Sequence, residues 1–66
     1  MSGTALELRV ERDTNLLTGD DLARVIYRRA GVRKWSKFVV VLDEETTFET
    51  VEANAETLVS LYEARA

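Results

Sequence analysis

The sequence predicts a small α/β domain of the α+β type, an open-faced two-layer sandwich with the element order β-α-β-α. Three stretches carry this prediction: an alternating stretch near the N-terminus, a continuous apolar run in the middle, and a long stretch with helical spacing at the end. Because the chain has 66 residues, it forms a single domain, 1–66, in which the small polar residues 1–4 are expected to be disordered.

Two stretches have the composition of strands. In Ala5–Glu11 apolar residues alternate with charged ones, which indicates a strand with one buried face. Lys37–Asp43 holds five consecutive apolar residues, so Phe38 and its alternate neighbours point to one face while Val39 and Val41 point to the other. This strand therefore needs cover on both faces, which a chain this short is not expected to provide.

Two stretches have helical spacing. Thr18 is a suitable N-cap for a helix over Gly19–Ala30, with Gly31 in the left-handed position after its end. A second helix is predicted over Thr47–Arg65, where Thr46 and Glu49 match a capping box. Its apolar stripe recurs every three or four residues and consists of Phe48, Val51, Ala55, Leu58, Val59 and Tyr62.

One segment leaves the topology open. Residues 46–52 are rich in threonine and β-branched residues, and they could return beside the preceding strand as a hairpin. The order would then be β-α-β-β-α, with a third strand and a shorter last helix. Otherwise the same residues begin the last helix.

Composition excludes several kinds of chemistry. The chain has neither cysteine nor histidine, so disulfides, thiolate metal sites and histidine-activated nucleophiles are not available to it. Its glycines are scattered and form no phosphate-binding loop. We therefore expect a protein that is not an enzyme and binds no cofactor or metal. No apolar run approaches the ~20 residues of a membrane span, and a cytoplasmic location is expected.

Charge is distributed unevenly, with a basic middle and an acidic end, at a net charge of −3. The basic segment is a candidate face for an acidic partner or nucleic acid and contains Arg24, Arg28, Arg33, Lys34 and Lys37. The acidic residues share one side of the predicted last helix, as a candidate face for a basic partner, and are Glu45, Glu49, Glu52, Glu56 and Glu63. An acidic pI of about 4.8 disfavours a dedicated nucleic-acid binder.

These observations predict a protein-interaction or assembly module that acts as a homodimer or as a small accessory subunit of another protein. Small domains without disulfides or metals commonly gain stability from a partner chain. The predicted protein interface consists of Val39, Val41, Trp35 and Leu61. The alternative is a regulator that contacts nucleic acid, or a nucleic-acid-binding protein, through one of the two charged faces.

Overall fold

The computed structural model describes residues 5–65 and shows a sheet followed by two helices. The predicted small domain with both helices and strands is confirmed, but the predicted order β-α-β-α is wrong because all the strands precede the helices. The expectation of disorder for residues 1–4 falls outside the described residues. In chain order, the elements are β1 (Leu6–Thr14), β2 (Asp21–Arg29), β3 (Ser36–Val41), α1 (Phe48–Ala53) and α2 (Ala55–Arg65).

The main correction concerns the segment predicted as the first helix, which forms β2. Its side chains alternate between the two faces of the sheet: Ala23, Val25 and Tyr27 are buried, whereas Arg24 lies on the opposite face. The β-branched and aromatic residues of this segment fit a strand as well as its spacing fits a helix. Gly31 does adopt a positive φ of 88°, but in the turn between two strands.

The sheet is an antiparallel meander with the order β1-β2-β3. Glu7 lies opposite Arg28 in the first pair of strands, and Arg24 lies opposite Val39 in the second. The strand–helix–strand order predicted from the sequence would place the two outer strands side by side and parallel. That arrangement is wrong, since β2 lies between them. Both β1 and β3 are edge strands within the described part of the chain.

The last predicted helix is confirmed in position but is divided in two. It does not contribute a third strand at residues 46–52, so the alternative β-α-β-β-α is also wrong. The N-cap is Thr47, one residue after the predicted cap, and its hydroxyl accepts a hydrogen bond from the amide of Thr50 at 3.2 Å. Asn54 separates α1 from α2 with φ −112° and ψ 16°, and its side chain donates to the Thr50 carbonyl.

The core lies between the helices and one face of the sheet. Val25 in β2, Val51 in α1 and Val59 in α2 are fully buried at its centre. The helix-facing residues of the outer strands, and Leu42 directly after β3, pack around this centre and are only partly buried. The strand residues are Leu6, Leu8, Val10, Phe38 and Val40. The predicted inward faces of β1 and β3 and the apolar stripe of the last helix are thus confirmed.

An aromatic cluster closes the core on the β3 side. Phe38 and Tyr62 stack with ring centroids 4.6 Å apart, and the buried Tyr27 meets both rings edge to face. The helices lie over β1 and β2, and α2 reaches β3 through this contact. The helix-facing side of the sheet is therefore less completely covered at β3. Neither helix of residues 5–65 has the length and apolar character needed to cross a bilayer.

Candidate interaction surface

The outer edge of β3 has free backbone groups. The amide of Leu42 donates to the carbonyl of Asp21 at 2.9 Å. This hydrogen bond shows which alternate residues of β3 have their backbone groups directed toward β2. Because this bonding alternates along an antiparallel strand, the N–H and C=O groups of Lys37, Val39 and Val41 point away from β2. Nothing else within residues 5–65 hydrogen-bonds to them. This edge can accept another strand.

The same edge is apolar on the open face of the sheet, the face that the helices do not cover. Val39 and Val41 are 53% and 57% exposed, as expected from the alternation of an apolar strand that lacks cover on one side. On the helix side, a groove of about 300 Å³ separates β3 from α2. Its lining is mostly apolar and consists of Phe38, Val39, Leu58, Leu61, Tyr62 and Arg65.

The structure brings three of the four predicted interface residues together. Val39, Val41 and Leu61 lie around the β3 edge, with Leu61 exposed on the α2 side of the groove. Trp35 lies on the open face before β3, with the Arg28 guanidinium 4.5 Å from its ring centroid. Sequence reasoning did not include the groove residue Tyr62, which its place at the end of the apolar stripe could have indicated.

Two of the five residues of the predicted basic face form ion pairs with carboxylates. Arg28 donates to both carboxylate oxygens of Glu7, at 2.7 and 2.8 Å, and Arg24 forms an ion pair with Asp13. These partners lie across the β1–β2 ladder. A helix over Gly19–Ala30 would instead have placed Asp20 four residues before Arg24 as its partner, and that pairing is wrong. Arg24 and Arg28 lie on the open face of the sheet. The remaining basic residues, Arg33, Lys34 and Lys37, are exposed at one end of the sheet.

The predicted acidic face is not a single helical stripe. Glu45 precedes α1, and the break at Asn54 separates Glu49 and Glu52 from the acidic residues of α2. Glu63 is held by Arg29, whose guanidinium donates to its carboxylate at 2.8 and 3.0 Å. This hydrogen bond lowers the pKa of Glu63 and raises the pKa of Arg29. The pair joins α2 to the helix-facing side of β2, while Glu56 remains exposed on α2.

A second exposed apolar feature lies at the turn between β1 and β2. Leu16 and Leu17 are 93% and 96% exposed. The turn is closed by the side-chain oxygen of Asn15, which accepts from the amide of Leu17 at 2.9 Å, and by Gly19 with a φ of 80°. Two adjacent leucines in a polar turn were a signal that sequence reasoning did not use.

The described residues contain no arrangement suited to metal chemistry. No group of three or more acidic side chains within residues 5–65 could hold a metal ion. Asp43 instead organises the turn before α1, where its Oδ1 accepts from the amides of Glu45 and Thr46 at 2.9 and 2.7 Å.

Compared with protein-family models, curated proteins and solved structures, the chain matches none of them.

Proposed function

We propose that the protein is a non-enzymatic, cytoplasmic interaction module that self-associates through the edge of β3. The observation that carries this proposal is the combination, on one strand, of free backbone groups with exposed valines. An unprotected apolar edge strand is a template for pairing with another chain. Leu61 and the groove beside it extend the same surface onto α2.

The size of the domain supports the same conclusion. A single core in a chain below ~70–80 residues rarely contributes more than ~3–5 kcal/mol, so the additional burial at a partner surface is valuable. Val39, Val41 and Leu61 are among the large apolar side chains that the monomer leaves exposed. A symmetric dimer would bury these residues in both copies of the chain.

The test is the mass in solution of the wild-type protein and of Val41→Lys, measured by analytical ultracentrifugation over a wide concentration range. We expect a concentration-dependent dimer for the wild type and a folded monomer for Val41→Lys, because an exposed position accepts lysine without disturbing the core. Val39→Lys provides a second variant at the same edge. Circular dichroism verifies that each variant is folded.

Leu16→Lys is the control, because it places the same charge on an apolar residue that is even more exposed than Val41 and lies outside the β3 edge. It should dimerise as the wild type does. A wild type that stays monomeric at every concentration would contradict the proposal. Equal loss of mass in Leu16→Lys and Val41→Lys would also contradict it, since the β3 edge would then have no special part in association.

Binding to nucleic acid, or to a nucleic-acid-binding protein, is supported less well. Arg24 and Arg28 already have carboxylate partners, which leaves few arginine donors for phosphate groups. Titration of labelled DNA and RNA at two salt concentrations tests nucleic-acid contact directly. Micromolar binding that weakens steeply with salt and disappears in Lys34→Glu would favour this alternative over self-association.

A further inference from the structure

We propose that the partner strand in this assembly is β3 of a second copy, paired antiparallel about a two-fold axis at Val40. Lys37 of each copy then lies opposite Asp43 of the other. This inference rests on the proposed self-association and adds its register and its charge determinants. It joins the two sheets of the copies into one continuous sheet.

The backbone of β3 allows this register. With the axis at Val40, Val39 of one copy lies opposite Val41 of the other, and both residues have N–H and C=O groups directed outward. Such opposed residues exchange pairs of hydrogen bonds in an antiparallel ladder. The amide of Asp43 already donates to the carbonyl of Thr46 at 2.9 Å, so the new ladder ends at this residue.

The charges at the two ends of the segment Lys37–Asp43, which begins in β3 and ends two residues after it, are self-complementary. The segment Lys37–Asp43 reads Lys-Phe-Val-Val-Val-Leu-Asp, with opposite charges equidistant from Val40. Lys37 is exposed and has no ion-pair partner within residues 5–65. The Oδ2 atom of Asp43 accepts no hydrogen bond in the described part of the chain. Antiparallel pairing about Val40 brings these two side chains together twice in each dimer.

A neighbouring register loses this complementarity. An axis at Val39 would keep the outward groups paired, but it would place Lys37 opposite Val41 of the other copy. Cross-strand pairs of opposite charge stabilise a sheet, whereas a lysine opposite valine gains no such interaction. The charges therefore select the axis at Val40 over the axis at Val39.

The helix side of the sheet also fits this arrangement. A two-fold axis perpendicular to the joined sheet keeps the helices of both copies on the same face. Phe38 would lie opposite Leu42 of the second copy, and Val40 opposite Val40, so their side chains would cover the open side of the groove. Leu61 faces the same space from α2. Partial coverage at β3 in the monomer is thus completed by the second copy.

Packing of two open sheet faces against each other is disfavoured by comparison. The open face carries the ion pairs of Arg28 with Glu7 and of Arg24 with Asp13 between its apolar residues. Covering such pairs with a dry apolar surface carries a desolvation cost. Edge pairing leaves both ion pairs in contact with water.

The experiment compares Lys37→Glu with Lys34→Glu by analytical ultracentrifugation of the full chain. Both variants change the charge equally, and both positions are exposed, but only Lys37 lies in the proposed pair. Lys37→Glu places a glutamate opposite Asp43 in both halves of the dimer. We expect its dissociation constant to rise roughly tenfold, with partial recovery in high salt, whereas Lys34→Glu stays close to the wild type.

A second substitution tests the partner of Lys37. Asp43→Asn removes the charge but keeps the side-chain oxygen that accepts from the amides of Glu45 and Thr46. Added to Lys37→Glu, it should recover most of the lost affinity, because the repulsion between the two carboxylates disappears. Recovery of dimer affinity by a second substitution would support the register, because a general loss of stability would weaken the dimer further and not restore it.

Three results would overturn the inference, and the first two distinguish a wrong register from a wrong proposed function. If the wild type dimerises and Val41→Lys does not, but Lys37→Glu behaves as Lys34→Glu does, the register is wrong and the proposed function stands. If the wild type is monomeric throughout, both the proposed function and the register are wrong. Failure of Asp43→Asn to rescue Lys37→Glu in a folded dimer would also contradict the ion pair.

Discussion

The two edge strands of this sheet are built differently. On its open face β1 carries a charged residue at every second position: Glu7, Arg9, Glu11 and Asp13. Its other face lies under α1 and α2. β3 carries Val39 and Val41 on the open face, and its helix face borders a groove. Charged side chains along an edge strand discourage pairing with other chains, and β3 carries one such side chain, Lys37, followed by four apolar residues.

The two halves of the sheet therefore differ in how much of their apolar side-chain surface is covered by the chain itself. In the β1–β2 half, the side chains on one face pack in the core, and the other face carries ion pairs within the chain. Both outer strands leave backbone groups free at their outer edges, but the β3 half combines these groups with exposed apolar side chains on the same strand. The predictions below test this inequality at the core, at the helix cap and at the ion pair that holds α2.

The largest effect is expected for Val25→Ala, in the centre of the covered half. Val25 is 0% exposed, so the substitution removes buried methyl groups and leaves a cavity. We expect a loss of about 2–3 kcal/mol in the free energy of unfolding, measured by urea denaturation at low protein concentration. A loss of this size would consume most of the stability of so small a domain.

Val39→Ala is the matched change on the other half of the sheet. Because Val39 is half exposed, we expect a loss below about 1 kcal/mol in dilute solution. At protein concentrations that favour the dimer, the loss should grow, since association stabilises the folded state by mass action. Equal effects of the two substitutions at low concentration would contradict the inequality of the two halves.

A smaller effect is expected at the start of α1, which helps to cover the β1–β2 half. Thr47→Ala removes the hydroxyl that accepts from the amide of Thr50, at a cost of about 1 kcal/mol in the free energy of unfolding. Thr46→Ala is the control, because Thr46 accepts a hydrogen bond from the amide of Asp43 through its backbone carbonyl, which the substitution keeps. A larger loss in Thr46→Ala would place the cap where the sequence alone predicted it.

β1 and the last helix from Ala53 on were predictable because each has a single periodicity, and β3 was predictable because it is a short continuous apolar run. In β1 the apolar residues alternate strictly with charged ones, and in the last helix they recur at three and four residues. The opposite orientations of Phe38 and Val39 followed from the same alternation. The exposed valines, and with them the candidate surface, were therefore visible in the sequence.

The identity of β2 was not predictable from local pattern because its apolar residues satisfy two periods. Leu22, Val25 and Ile26 fit one face of a helix, while Ala23, Val25 and Tyr27 fit one face of a strand. The choice is decided by partners distant in sequence: Arg28 pairs with Glu7, and Val25 packs under α1 and α2. Tertiary context of this kind overrides local propensity.

The groove beside β3 could not be predicted for the same reason. It exists because the helices lie over β1 and β2, and their position depends on a central strand that the sequence pattern assigned to a helix. With only two strands, the predicted sheet would have lain wholly under the helices. The break at Asn54 also lacks a strong local signal, since neither glycine nor proline marks it.

The smallest effect is expected for Glu63→Gln, which tests the ion pair between α2 and β2. The hydrogen bond from Arg29 holds the pKa of Glu63 below its ordinary value of 4.5. A carboxylate with a lowered pKa contributes stability above its unfolded pKa, and this contribution is lost as the pH falls through the folded pKa. The free energy of unfolding of the wild type should therefore exceed that of Glu63→Gln near neutral pH.

The difference between the two proteins should begin to shrink as the pH falls below about 4.5, where the carboxylate of the unfolded chain takes up a proton. It should be lost below the folded pKa, where the protonated carboxyl resembles the amide. Urea denaturation at a series of pH values measures it, with Glu52→Gln as a control on an exposed residue of α1. Arg29 remains charged throughout this range. A pH-independent difference would mean that Glu63 acts through packing on the sheet, and the covered half would then depend less on charge than its contacts indicate.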